Sequence, residues 1–410
     1  MKKLAAAILL FAFILTFSGC GGTKDKSVPK DMAETPASDF TYEYDAAVEG
    51  MVITKYKGKS SRVRIPEKID DRPVRVIGKE AFSQSYISYV AIPDGVTEIR
   101  GYAFFECKSL TSVTIPNSVT EIRRYAFFEC ESLTSVTIPN SVTEIGMEAF
   151  GCTGLTSITI PDSVTKIGEN AFYSCKSLTS VTIPNSVTEI GKAAFGDSPG
   201  LTSITIPDRM TKITGSFMHC TGLISVTIPD SITEIGENAF EGCTGLTSIT
   251  IPDSVTKIGE NAFKGCISLA SVTIPDSMTE IGMGAFWNCK SLASVTISNN
   301  VTKIGTRAFY GCQSLTNVTI PDEVTEIEAN TFYGCRSLAS VMIPDSVRKI
   351  GNFAFMGCTG LASVTIPNGT AVDVWVFRGC RDLIVTYEGE TYRDGGKDPH
   401  QFFGYNTTAQ

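Results

Sequence analysis

Apolar residues return at fixed places along most of this chain. In Leu133-Thr134-Ser135-Val136-Thr137-Ile138 they fall at the first, fourth and sixth positions, and the alternation of Val and Ile with Thr predicts a half-buried strand. Pro139-Asn140-Ser141 then predicts a type I turn, with Pro at its second position and Asn at its third. Val142 and Ile145 predict a second short extended piece. A glycine and Ala149-Phe150 follow, and they predict a single helical or 3₁₀ turn that brings the chain back.

After the first step, this unit recurs with a beat of 22 or 23 residues. Ile before Pro marks it at Ile65, Ile92, Ile115, Ile138, Ile160, Ile183, Ile206, Ile228, Ile251, Ile274, Ile320, Ile343 and Ile366; Ile297 keeps the register although Ser298 replaces the proline. Phe holds the same beat from Phe82 and Phe104 through Phe355 to Phe377. Whole phrases return as well: GLTSITIPDSVTKIGENAF fills 154–172 and again 245–263. Such self-similarity predicts a mainly β repeat solenoid of about fourteen rungs. No rung can bury its Leu, Val, Ile and Phe alone, so each strand is expected to pair with its copy about 4.8 Å above and below.

The ends break the pattern. Phe40 to Arg64 carries hairpin-like runs expected to cap the solenoid, which runs from 65 to 387; the pattern loosens over 371–387, and 388–410 reads as a polar tail. Lys2, Lys3 and the apolar run Leu4 to Phe17 read as a signal segment over residues 1–19, with an apolar stretch of 14 residues, too short to span a bilayer. Residues 21–39, rich in Gly, Pro, Ser and Lys, read as a flexible tether whose reach is about 24 Å.

Two resemblances follow from these residues. Phe17-Ser18-Gly19-Cys20 resembles the bacterial lipobox, which implies cleavage before Cys20 and lipid on that cysteine, although Phe17 stands where the family has Leu. The pattern Leu-x-x-Val-x-Ile, a turn, then Ala-Phe-x-x-Cys resembles the leucine-rich repeats of BspA-like bacterial surface proteins. That resemblance implies a right-handed leucine-rich repeat stack with a parallel strand ladder and short turns or 3₁₀ segments on its other side. It also implies an exported adhesin or interaction protein, contacting protein or glycan ligands on host or microbial surfaces. The alternative is an envelope scaffold or surface antigen that binds another bacterial protein.

Composition narrows the partners. Net charge is −8 with no basic run, which argues against nucleic acid, and the membrane is expected only through the lipid on Cys20. The other twelve cysteines are read as one row, three residues after the Phe of each rung: Cys107, Cys130, Cys152, Cys175, Cys220, Cys243, Cys266, Cys289, Cys312, Cys335, Cys358 and Cys380. Two rungs carry Ser85 and Ser198 instead, so the position calls for a small buried side chain. Parallel side-chain vectors suit a disulfide poorly, and a reduced, structural thiol ladder is expected rather than disulfides or metal. The two histidines, His219 and His400, have no catalytic neighbours in sequence, and His219 is expected at an exposed turn. No catalytic residue, cofactor or metal is expected, and the chain is expected to be monomeric.

Three rows face outward. Ser135 and Thr137, repeated on nearly every rung with Asn317 and Met342 as exceptions, make an uncharged hydroxyl sheet, read first as a soluble strand face. Glu144, Lys166, Glu189, Lys212, Glu234, Lys257, Glu280, Lys303, Glu326 and Lys349 alternate in sign, which favours one register. The third row follows the Phe: Phe105 and Phe128, then Trp287, Tyr310, Tyr333 and Met356 on four successive rungs. Those last four are the candidate partner-binding residues, since aromatic groups dominate interface hot spots.

Overall fold

The structure is a computed structural model, and it describes residues 32–393. Readings of the signal segment, Cys20, the tether up to residue 31, His400 and the tail beyond residue 393 lie outside the described residues.

Each rung contributes to parallel ladders through three short pieces. The Ser-Val-Thr piece pairs in register with its copies, as in Ser271↔Ser294, Val272↔Val295 and Thr273↔Thr296. The Glu-Ile or Lys-Ile piece does the same, as in Lys257↔Glu280 and Ile258↔Ile281. Between these pieces lies the proline turn. In it Val142 N–H donates to Pro139 O at 3.1 Å, so Pro139 holds the first position of the turn and not the second. Pro has no N–H to donate, but its carbonyl serves here. The serine at the third position closes a ladder of its own: Ser163 Oγ donates to Val142 O at 2.7 Å, and Ser254 Oγ to Ile232 O at 2.7 Å.

The third piece carries the Phe. Its backbone alternates partners: Ala149 N–H bonds back to Gly146 O within the rung, and Phe150 N–H bonds across to Ala171 O of the next. The segment is a pair of linked turns; among the described residues the one 3₁₀ helix is Ala37–Asp39 and no helix is long and apolar enough to cross a membrane. Fourteen Phe rings from Phe82 to Phe377 form one continuous stack, with centroids 4.9–5.9 Å apart and planes within 16°. Around it each rung buries Leu, Ile and Val side chains in a single cluster that runs the length of the array. Burying one such side chain stabilises by about 1.5–3 kcal/mol, and only stacking makes that burial possible.

Glycine permits this spacing at one column. A Cβ on Gly168, Gly191, Gly259 or Gly305 would approach the backbone of the rung before it to 2.5–2.7 Å. At those rungs glycine permits the close approach, whereas Arg100, Arg123, Thr214 and Glu328 fill the same column elsewhere.

Hairpins finish the two ends on different ladders. At the N-terminal end Phe40–Asp45 pairs antiparallel with Gly50–Tyr56, which pairs parallel with Arg72–Ile77 at the head of the Glu-Ile ladder. Tyr56 stacks on Phe82 at 5.4 Å and carries the ring column into the cap. Thr35 is buried and bonds Arg64 in both directions at 2.8 and 3.1 Å, so the chain is docked from Thr35, before the boundary at residue 40 read from sequence. At the other end Ile384–Tyr387 extends the Ser-Val-Thr ladder, and Glu390–Arg393 folds back on it antiparallel. Residues 388–393, read as the start of a polar tail, thus belong to a hairpin.

Candidate functional site

The Phe turn positions the exposed chemistry. Two left-handed residues bracket every Phe of the stack except Phe217, two positions before and two after it, as Asn261 (φ 53°) and Gly265 (φ 74°) bracket Phe263. Asn and Gly recur there because they tolerate that backbone. The bracketing leaves two columns of side chains on the turn surface, one two residues before the Phe and one immediately after it.

The column after the Phe holds the aromatic row. Tyr310 and Tyr333 stack at 4.5 Å with planes 2° apart, and Trp287 lies 5.3 Å from Tyr310 at a tilt of 55°. Lys264 and Arg307 stand over the Trp287 ring at 5.2 and 5.5 Å. Trp287, Tyr310, Tyr333 and Met356 are all half-buried. The rings therefore share faces with one another and present edges and partial faces to solvent. The indole Nε1 of Trp287 is buried and has no hydrogen-bond partner among the described residues. Burial, then Tyr333, pushes the Tyr310 hydroxyl above its ordinary pKa. Phe105 and Phe128 stack at 5.7 Å toward the other end.

Sequence reading missed the column two residues before the Phe. Tyr102 and Tyr125 stack there at 4.7 Å, and Phe353 lies 5.4 Å from Trp375, whose side chain is 41% exposed. The signal was present: these residues keep the Phe beat. Trp375 and Phe353 widen the aromatic surface beside Met356 at the C-terminal end.

The cysteine row proves to be a hydrogen-bonded column. Cys243 Sγ donates to Phe217 O at 3.1 Å and Cys358 Sγ to Phe332 O at 3.1 Å, each reaching the rung before its own. Ser198 Oγ reaches Phe172 O at 3.4 Å in the same way. Burial pushes these thiols up, Cys107, Cys220 and Cys266 to about 12. Cys152 does not belong to the row. It stands two residues after Phe150, in the left-handed position (φ 56°), half-buried. Thr153 takes the buried place, bonding Phe150 O at 2.9 Å and lying 3.3 Å from Cys175 Sγ. No disulfide links the described cysteines, and among the described residues no group of His, Cys, Asp or Glu could hold a metal ion. His219 is exposed in its turn at φ 60°.

The charged row pairs across rungs: Lys212 with Glu234 at 2.9 Å, Glu280 with Lys303 at 3.2 Å, Glu326 with Lys349 at 2.7 Å. Ahead of Lys166 the alternation fails, for Glu98, Glu121 and Glu144 are direct partners in register. On the strand face the Ser and Thr side chains are exposed, with Met342 at 75% the largest apolar group among them.

Comparison with known proteins completes the picture. The model of the BspA type leucine rich repeat region (6 copies) matches residues 75–202, 143–269, 213–336 and 279–388, well over half of the chain. The chain belongs to the BspA-type leucine-rich repeat family. A leucine-rich repeat protein from Bacteroides ovatus ATCC 8483 is 30% identical, with a TM-score of 0.72, over 87% of this chain and 99% of its own. A leucine rich cell surface protein from Faecalibacterium prausnitzii A2-165 is 30% identical over 88% of this chain and 95% of its own, with a TM-score of 0.49. A leucine-rich repeat protein from Eubacterium ventriosum ATCC 27560 shares the fold at 22% identity and a TM-score of 0.51, over 87% of this chain and 98% of its own. A search of curated proteins finds none that matches. BspA-type arrays are in general protein-interaction scaffolds without catalysis. A surface of half-buried rings on consecutive rungs fits that role, since repetition places like groups along one line.

Proposed function

We propose that this protein is a lipid-anchored adhesin of the bacterial cell surface, monomeric, holding its BspA-type array outward to engage a protein on a host or neighbouring cell. One observation carries the reading: Trp287, Tyr310, Tyr333 and Met356 occupy consecutive rungs, half-buried and contiguous, with Trp375 and Phe353 beside them. Elsewhere the outward columns are largely Ser, Thr, Glu and Lys, which hold water and gain little by losing it. An aromatic side chain gains about 1.5–3 kcal/mol on burial, so a few adjacent rings can dominate a modest interface. One extended segment of a partner could run along all four rungs and engage them multivalently.

Protease treatment of intact cells tests the placement. The array is expected to be shaved from wild-type cells, and Cys20→Ala is expected to yield unprocessed or unlipidated chain that no longer partitions into detergent. Full protection of the array on intact cells would favour the inward-facing envelope scaffold instead. Unchanged mass and partitioning of the variant would remove the anchor from the proposal.

A further inference from the structure

The first rungs depart from the repeat in three columns at once. Arg100 and Arg123 stand where most later rungs carry glycine (Thr214 and Glu328 are among the exceptions), Arg124 follows, and the acidic residues Glu98, Glu121 and Glu144 face one another in register. At Gly146 an added Cβ would lie 2.7 Å from the Arg123 backbone, so the close spacing resumes only at that rung. The departures line an open groove of about 800 Å³, whose walls include Arg100, Arg123, Arg124, Glu98, Tyr102 and Lys79. That volume lies in the range of small-molecule sites, which combine apolar contact with a few fixed polar groups.

Charge in the groove is nearly cancelled. Arg100 reaches Glu98 at 3.2 Å and Asp45 of the N-terminal hairpin at 3.4 Å. Arg123 pairs with Glu98 and, at 2.9 Å, with Glu121. Lys79 pairs with Glu80 at 3.3 Å. Arg124 and Glu144 form no ion pair among the described residues, and they oppose each other in sign. A phosphate or sulfate would find no cationic surplus. What remains are planar guanidinium and carboxylate groups, held in place by their pairing, with donors and acceptors side by side.

Next to them stands an aromatic face. Tyr125 covers one side of Tyr102, but on the rung before it the same column holds Glu80, not a ring. The Phe105 ring meets Tyr102 at 5.5 Å with a tilt of 57°, and the Lys79 ammonium lies over it, 6.0 Å from the ring centre. Pairs of adjacent hydroxyls match paired donors and acceptors, and the C–H face of a pyranose matches an aromatic ring. We infer that this groove binds an uncharged oligosaccharide, with Tyr102 stacking on one sugar ring while Arg124 and the Glu98-Arg123 pair bond its hydroxyls. The site is separate from the aromatic row proposed for adhesion and does not rest on that reading.

The test uses the full, detergent-solubilised chain on an array of neutral, sulfated and phosphorylated oligosaccharides, followed by calorimetry on each sugar retained. Two substitutions borrow residues that other rungs already carry in the same columns: Tyr102→Asn, as at Asn170 and Asn261 with φ 53°, and Arg124→Met, as at Met147. At least one neutral oligosaccharide is expected to bind. Tyr102→Asn should weaken it about tenfold or more and Arg124→Met about threefold or more, while Trp287→Ala leaves it within about twofold. Thermal midpoints confirm the fold, and if Tyr102→Asn fails to fold, Arg124→Met decides. Retention of anionic sugars alone, retention of none, or neutral binding that ignores both substitutions would overturn the inference.

Discussion

The thiol of Cys289 donates to the backbone carbonyl of Phe263, 3.1 Å away on the preceding rung. Phe263 O also accepts from Cys266 N–H of its own rung at 3.1 Å, so the thiol serves the carbonyl's second lone pair. Repeated along the array, this contact couples the rungs of the stack to the next turn, except at Phe127, where Thr153 of the next rung bonds its own Phe150 instead.

Alkaline pH should therefore unfold the array. Burial holds the ladder thiols protonated, Cys175 up to about 11 and Cys220 to about 12, whereas an unfolded thiol ionises near about 8.5. The folded pKa is raised, so this contribution is complete below the unfolded pKa and is lost as pH rises through the folded one. Each thiol that ionises only in the unfolded chain lowers stability by about 1.4 kcal/mol per pH unit in that window. Urea denaturation at intervals from pH 7 to pH 11 is expected to show a plateau to about pH 8.5 and then a steep fall. A flat profile to pH 11 would show that the thiols are already ionised or bonded.

Cys152 should stand apart from the ladder in reactivity. In the folded protein it is expected to be the first of the described cysteines to alkylate, and denaturation without reductant should then release the remaining eleven as free thiols. Peptide mass spectrometry reads both steps. Consecutive disulfide-linked pairs would contradict the ladder. Cys152→Gly should stabilise by about 0.5 kcal/mol, since relief of a left-handed backbone worth about 1–2 kcal/mol exceeds glycine's entropic cost.

Gly282→Ala should do the reverse. Its Cβ would come within 2.6 Å of the Gly259 backbone, with no flexible side chain to yield. A loss of about 1–3 kcal/mol is expected from urea unfolding. A neutral result would mean that the rungs can separate locally at little cost.

Trp287→Ala combined with Tyr310→Ala should weaken adhesion about tenfold or more, while the thermal midpoint moves little. Thr137→Ala with Thr159→Ala on the strand face is the control, expected to be near neutral. If the threonine pair abolishes adhesion and the aromatic pair does not, the hydroxyl sheet is the binding face.

The repeat and its core were legible because burial imposes strict periodicity: Leu, Val, Ile and Phe return at the same places in every rung. The Phe stack's extension to Tyr56 was not, because a cap need not keep the beat. The misplacement of Cys152 has a clear cause: residue type suggested the ladder, whereas the left-handed backbone at that position and the buried Thr153 are set by count from Phe150. Likewise the proline turn is defined by which carbonyl accepts, and Pro139 alone does not reveal that. Of the aromatic surface, the row after the Phe was legible. The row before it was missed because Tyr102 and Trp375 interrupt a column mostly of Asn, Glu and Gly, with Ala193 and Arg307 among them, that reads as plain turn sequence.

Because the two hairpins close different ladders and every interior rung bonds only to its neighbours, the number of rungs is a free parameter of this architecture. Rungs can be gained or lost without rebuilding either end, but not in every multiple. Excising the one that carries Lys303 would bring Glu280 against Glu326, whereas excising two keeps opposite signs adjacent. Within the alternating stretch, then, the smallest unit of growth that preserves the pairing is a double rung, and the distance between the groove near the first turn and the rings near the last changes in those steps.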